Sequence, residues 1–323
     1  MVEGSQPATL FRLRAWPVPL PNEAKVAVAR AAEVSGIHMS PRRAANSSVL
    51  VEVMRKHSAD ANVQISSCEK LHAIAARDAE AVAAAGGMAA VVAAMLAHSE
   101  NGAVQRAGCA VAGLRACAPA IVAARGEGAV LGAMRAHPGD AALQRTALNA
   151  IRHMIEEGAG KTVIGAGAAA DVVAAMHAHP AQTEVQLAGW RALRAMVFSE
   201  VGRGAVLDAG GIGVTVEMMG RYAGEVALQR AGCELLHDIA AGEAASKQAV
   251  VSAAAALVGP MTSHGQDMRL LHVCCEAIEL AGAGRGSLTQ SERWARHDSN
   301  RKPQADRIAW RLGQHSASVQ RPG

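Results

Sequence analysis

Half of the 323 residues are apolar but only 2 % are aromatic, so Ala, Val, Leu and Met must build the core and little is left for a β-sheet. The formal charge of +4 gathers at one end. Residues 284–323 carry eight Lys/Arg against three Asp/Glu, which leaves the rest near neutral and excludes the dense basic stripe of a non-specific nucleic-acid binder.

From the N-terminus, residues 1–44 read as a separate segment. Met1–Leu10 lacks the basic-then-apolar pattern of a secretory signal, and Asn22–Ser35, with Val26, Val28 and Ala31 in a helical distribution, is expected to form a capping helix. A repeat then begins. Met54, His57 and Val63-Gln64 return as Met95, His98 and Val104-Gln105, as Met134, His137 and Leu143-Gln144, and as Met176, His179 and Val185-Gln186. A fifth copy has Met219, Tyr222 and Leu228-Gln229, and a sixth has Met261, His264 and Leu270-Leu271. Spacings of 41, 39, 42, 43 and 42 residues mark a stacked array, because a unit of that size cannot bury its own apolar face.

Within each copy the chain predicts three helices. Upstream of each Met lies a break and an apolar stretch, as in Gly86-Gly87-Met88 before Val91 or Gly210-Gly211-Ile212 before Val216, and glycine there turns one helix sharply into the next. Four residues past the Gln slot stand Cys68, Cys109, Leu148, Trp190, Cys233 and Cys275. Leu71, Ile74, Ile151, Met154, Leu193, Met196, Leu236 and Ile239 continue the same helical face. These slot residues and the Met column are expected in the core, Trp190 included. The uncharged run Gln248–Gln266 approaches membrane-spanning length, but Ser252, Pro260, Ser263 and His264 interrupt it in register with the repeat, so a buried helix is expected and no membrane insertion. From Gly284 the chain turns rich in Arg, Ser, Gln and Gly and is expected to be a disordered basic tail, in which Ile308, Trp310 and Leu312 are a candidate docking segment and a fold back onto the acidic end of the groove is left open.

A short helix, a Gly-Gly corner, a second helix, a His-Pro or His-Ser turn and a longer third helix in about 42 residues resembles the armadillo repeat over roughly residues 45–283. The period and the A-G-G-[IM] corner favour armadillo over the related HEAT repeat. The resemblance implies an all-α fold, a right-handed α-solenoid of about six repeats whose third helices line a concave groove that receives extended peptides or partner domains.

Chemistry-bearing residues read as structural. A histidine at one offset in five of six repeats suits a helix end, where it hydrogen-bonds free carbonyls and complements the dipole. Equivalent histidines one repeat apart lie too far apart to share a metal. The cysteines show no C-x-x-C pair, so they read as reduced thiols of an intracellular protein, and adjacent Cys274-Cys275 point in different directions on a helix. Gly158-Ala159-Gly160-Lys161-Thr162 resembles the end of a phosphate-binding loop, but Ile155 stands where its first glycine belongs. No nucleophile or metalloprotease motif occurs, so no catalytic residue, cofactor or metal is expected and the chain does not read as an enzyme.

If the third helices line a groove, one stripe faces the ligand: Ile65-Glu69-Ala73, Arg106-Ala110-Leu114, Arg145-Asn149-His153, Leu187-Arg191-Ala195, Arg230-Glu234-Asp238 and His272-Glu276-Leu280. Importin-α-like members of the family carry Trp at the middle of that stripe and Asn four residues later. This chain has Glu, Ala, Asn, Arg, Glu and Glu in the middle, which speaks against a localisation-signal receptor. The expected binding residues are Arg106, Arg145, Asn149, Arg152, His153, Arg191 and Arg194 at a basic centre, then Glu234, Asp238 and Glu276 at an acidic C-terminal end. The expected partner is another protein with an extended charged segment, met by a monomeric scaffold in the cytoplasm or nucleus; the alternative is a structural subunit of a larger, for example cytoskeletal, assembly.

Overall fold

A computed structural model describes residues 41–264 and 267–281. Among them every regular element is helical. Second helices of successive repeats are α1 (Pro41–Lys56), α4 (Gly87–Ala97), α7 (Glu127–Ala136), α10 (Ala168–Ala178) and α13 (Gly211–Arg221). Third helices are α2 (Ala61–Ala75), α5 (Gly102–Ala112), α8 (Ala141–Met154), α11 (Thr183–Val197), α14 (Val226–Ala240) and α16 (Met268–Ala281). Short first helices α3 (Ala79–Ala84), α6 (Ala118–Ala123), α9 (Gly160–Gly165) and α12 (Glu200–Asp208) connect one repeat to the next.

Each third helix packs on the third helices before and after it, and each second helix on its counterparts, so the molecule is an all-α solenoid of two helical layers. The Met column lies between them: Met54, Met95, Met134, Met176 and Met219 are at most 3 % exposed. Small residues permit the close approach. A Cβ on Gly108, Gly189 or Gly232 of a third helix would lie 2.5–2.7 Å from the methionine of its own second helix. Cys68, Cys109, Leu148, Trp190 and Cys233 are buried as their slot predicts. Cys275 differs: it is half-buried, and its neighbour Cys274 is the fully buried thiol of α16.

Left-handed Gly86, Gly167 and Gly210 make the corner between first and second helices, and in the third repeat Arg125 adopts the same conformation at φ 53°. Three details depart from the repeat pattern. The sixth repeat has no corner, because Ala244 to Ser263 forms one continuous helix, α15, in which Val250 and Leu257 are fully buried. The third helix of the second repeat stops early, at Ala112 before Gly113, and is no longer than the helix before it. The third helix of the third repeat runs through a π turn, Ile155–Ala159, directly into α9, with Gly158 at φ 92°.

Polar bonds recur with the repeat. Each second helix ends at the buried seam beneath the next third helix, where its last carbonyls need donors. The Gln supplies them: Gln144 Nε2 donates to Met134 O at 2.9 Å and to His137 O at 3.1 Å. Gln64, Gln105, Gln186 and Gln229 do the same to their own Met and His or Tyr carbonyls within 3.0 Å. The histidine bonds outward to the preceding repeat and not to its own helix end. His98 meets Ser58 O at 2.7 Å, His137 meets Ser99 O at 2.9 Å, His179 meets Pro138 O at 2.7 Å and His264 meets Ala223 O at 2.8 Å. Tyr222 donates its hydroxyl to Pro180 O at 2.8 Å in the same way, so a hydrogen-bond donor other than imidazole serves the slot.

Third helices start at carboxylates and amides that cap them: Asp60, Asn101, Asp140 and Asp267 each accept from backbone N–H groups of the first turn. Two of these caps also tie repeats together, through Arg106 to Asp140 at 2.7 Å and Arg230 to Asp267 at 2.6 Å. Burial pushes the Asp140 carboxyl up, but the hydrogen bond from Arg106, the Leu143 N–H and the guanidinium charge outweigh it and hold Asp140 below the usual carboxylate range.

Denaturation experiments test both kinds of bond. Met134 O has no N–H four residues on, because Pro138 stands there, so Gln144→Leu should lower stability by about 1–3 kcal/mol in urea denaturation. A depressed folded-state pKa stabilises fully above the unfolded carboxylate value and is lost as pH falls through the folded one. Stability of the native chain should therefore drop in acid below about pH 4, and Asp140→Asn, which keeps the cap, should flatten part of that drop in a denaturation series against pH.

Candidate functional site: the third-helix face

The stripe residues lie on third helices, except Leu114, which falls just past the end of α5, and these helices stand side by side along the array. Their side chains serve different ends. Arg106 is spent on Asp140, and Arg145 reaches Glu184 of the next third helix at 3.5 Å. Arg194 grips two carboxylates of α14 at once, Asp238 at 2.5 Å and Glu234 beside it. Its guanidinium loses hydration on burial, yet the Asp238 and Glu234 charges raise its affinity for the proton further. Arg152 pairs with Glu156 at 2.9 Å, which also holds Arg115 at 2.8 Å. Of the basic centre read from the sequence, Arg194 is joined to the acidic end, while Arg106, Arg145 and Arg152 are paired with other carboxylates.

His153 is 5 % exposed and so lies under the face. Burial first, then the adjacent Arg152 charge, hold its pKa below the ordinary histidine value, so the ring is neutral at neutral pH. One nitrogen sits 2.5 Å from the Arg152 guanidinium and the other, Nδ1, is buried without a partner. Glu276 lies among imidazoles, 3.3 Å from His272 and 3.6 Å from His237. His237 also meets Asp238 at 2.9 Å.

Three polar stripe residues remain uncommitted among the described residues: exposed Glu69 in the first repeat, and Arg191 and Asn149 nearer the centre. Arg191 is exposed and forms no ion pair, and Asn149, at the same offset one repeat earlier, is half-buried with no side-chain hydrogen bond. They stand at equivalent positions on adjacent, packed helices α8 and α11. Sequence reasoning missed the carboxylates that neutralise the others, Asp140, Glu156, Glu184 and Asp267. For Asp140, Glu184 and Asp267 the available signal was an acidic residue at or just inside the start of the next third helix, and for Glu156 its position four residues after Arg152.

No group of three or more His, Cys, Asp or Glu among the described residues could hold a metal ion. Gly158–Thr162 forms the π-turn junction and the start of the six-residue α9, with Lys161 and Thr162 exposed. No single helix among the described residues is long and apolar enough to cross a membrane.

No protein-family model matches the chain, and no curated protein does. Solved structures do. An engineered protein from a structural-genomics programme superposes with TM-score 0.62 at 24 % identity over 74 % of this chain and 97 % of its own. A designed armadillo repeat protein gives TM-score 0.60 at 18 % identity over 72 % of this chain and 99 % of its own. Another, solved in complex with the peptide (KR)4, gives 0.61 at 17 % identity over 72 % and 98 %. These likenesses and the two-layer helical stack agree: the chain is an α-solenoid with an armadillo-like repeat fold.

Proposed function

We propose that this chain is a protein-binding scaffold, and not an enzyme, whose array of residues 45–283 receives an extended segment of a partner on the third-helix face. The observation that carries the reading is the uncommitted pair Arg191 and Asn149 on a face where neighbouring charges are bound to one another. A guanidinium and an amide about one repeat apart suit a carboxylate side chain and a backbone group of a peptide lying across the helices. That a designed protein of the same fold holds a peptide supports the class of partner. The free charge here is positive, so an acidic segment over the centre is expected, running into a basic one at Glu276. The proposed setting is cytoplasm or nucleus. The tail from Gly284, its segment Ile308–Leu312 and the helix read at Asn22–Ser35 lie outside the described residues.

A second reading, a subunit held permanently in a larger assembly, draws on Phe198 and Val201. These stand 73 % and 70 % exposed at the junction of α11 and α12.

Arg191→Glu combined with Asn149→Ala separates the readings without breaking inter-repeat ion pairs, as reversal of Arg106 or Arg194 would. An acidic extended peptide followed by fluorescence anisotropy should bind the native chain and lose about tenfold or more in affinity on the double variant, while Arg221→Glu on α13 changes nothing. Equal binding to native and double variant retires the face as the site.

A further inference from the structure

We infer that Cys233 and Cys274 form a redox site, two thiols of adjacent repeats placed to close into a disulfide that staples α14 to α16. Their Sγ atoms are 2.9 Å apart and both residues are fully buried. A disulfide needs the sulfurs at 2.03–2.05 Å, so closure asks for a movement of roughly 1 Å between packed helices.

The juxtaposition is specific to this interface. Cys233 occupies the core slot of the fifth repeat, and Cys274 stands one residue before that slot in the sixth. At the four preceding interfaces the same two positions hold Cys68 with Gly108, Cys109 with Ala147, Leu148 with Gly189 and Trp190 with Gly232. A slot cysteine elsewhere therefore has glycine or alanine at the corresponding place, and only here does a second thiol replace the small residue.

The sixth repeat itself lacks a fixation that the first five have. Leu271 replaces the glutamine that closes the second-helix end, and α15 has no glycine corner. Of the recurrent polar bonds, His264 to Ala223 O and Arg230 to Asp267 remain among the described residues. A covalent link would tie to α14 the third helix of the one repeat that has no such glutamine.

The reaction is thiol–disulfide exchange with a small-molecule disulfide such as oxidised glutathione. A local opening of α16 exposes the pair, one thiolate attacks the reagent and expels a thiol, and the second thiolate displaces the other. Two cysteine thiols lose two protons and two electrons, one S–S bond forms, and the reagent's S–S bond is reduced to two thiols. The contact with Cys233, together with burial, pushes the Cys274 thiol up, so it stays protonated in the closed fold and the exchange waits on that opening.

The test uses the full chain under native conditions with oxidised glutathione, read by peptide mapping and thermal unfolding. A Cys233–Cys274 cross-linked peptide is expected, with Tm raised by about 5–10 °C and restored by dithiothreitol. Cys109→Ser should leave both effects intact and Cys274→Ser should remove both. Cross-links that map to other cysteines, or free Cys233 and Cys274 after prolonged native incubation under conditions that oxidise the urea-unfolded chain, overturn the proposal. The wild-type peptide map decides the matter even if a serine variant fails to fold.

Discussion

A stacked array of helices has a difficulty at every repeat: the second helix must end inside the stack, with its last carbonyls turned away from water. An unmet carbonyl there costs about 1–3 kcal/mol, a large part of what a marginally stable protein can lose. In the first five repeats one glutamine on the neighbouring third helix answers it with a single amide that reaches two carbonyls. Because that glutamine sits on the third helix, the same bond sets the register between the two layers. The methionine and the small residue of the third helix then meet at fixed depth.

The next level of order runs between repeats. Imidazole or phenol donors reach back one unit to a turn carbonyl, and arginines reach forward one unit to a carboxylate at the head of the next third helix. Both are nearest-neighbour bonds, which suits a quasi-one-dimensional molecule whose stability sums over adjacent units. They also determine what the third-helix face can offer a partner. An arginine held by two carboxylates, as Arg194 is, keeps its neighbours at fixed spacing and has little left for a ligand. Arg191 and Asn149, outside that arrangement, are the groups free to be used.

Much of this was legible in the sequence. The period, the methionine column, the glycine corners and the buried Trp190 all follow from local spacing, because each is set within a helix or a turn. The glutamine was visible as a recurring letter, yet its task was hidden, since it depends on which helix end lies beneath it. The histidines were read as closing their own helices; the ring instead crosses to a turn some 40 residues earlier, a relation that spacing within one repeat cannot express. The same limit hid the partners of Arg106, Arg145 and Arg194. The merger of two helices into α15 follows from Ala-rich sequence with no glycine between Ala244 and Val258, and the repeat pattern masked it.

The unbroken α15 carries a mechanical meaning. Its counterparts along the chain turn at a left-handed residue, Gly86, Arg125, Gly167 or Gly210, while α15 runs 20 residues without such a corner and carries Pro260 near its end. A tug on the chain beyond Ala281 would reach α16 directly and then the whole length of α15, across a seam without a glutamine. The sixth unit is thus held with fewer of the bonds that recur along the first five.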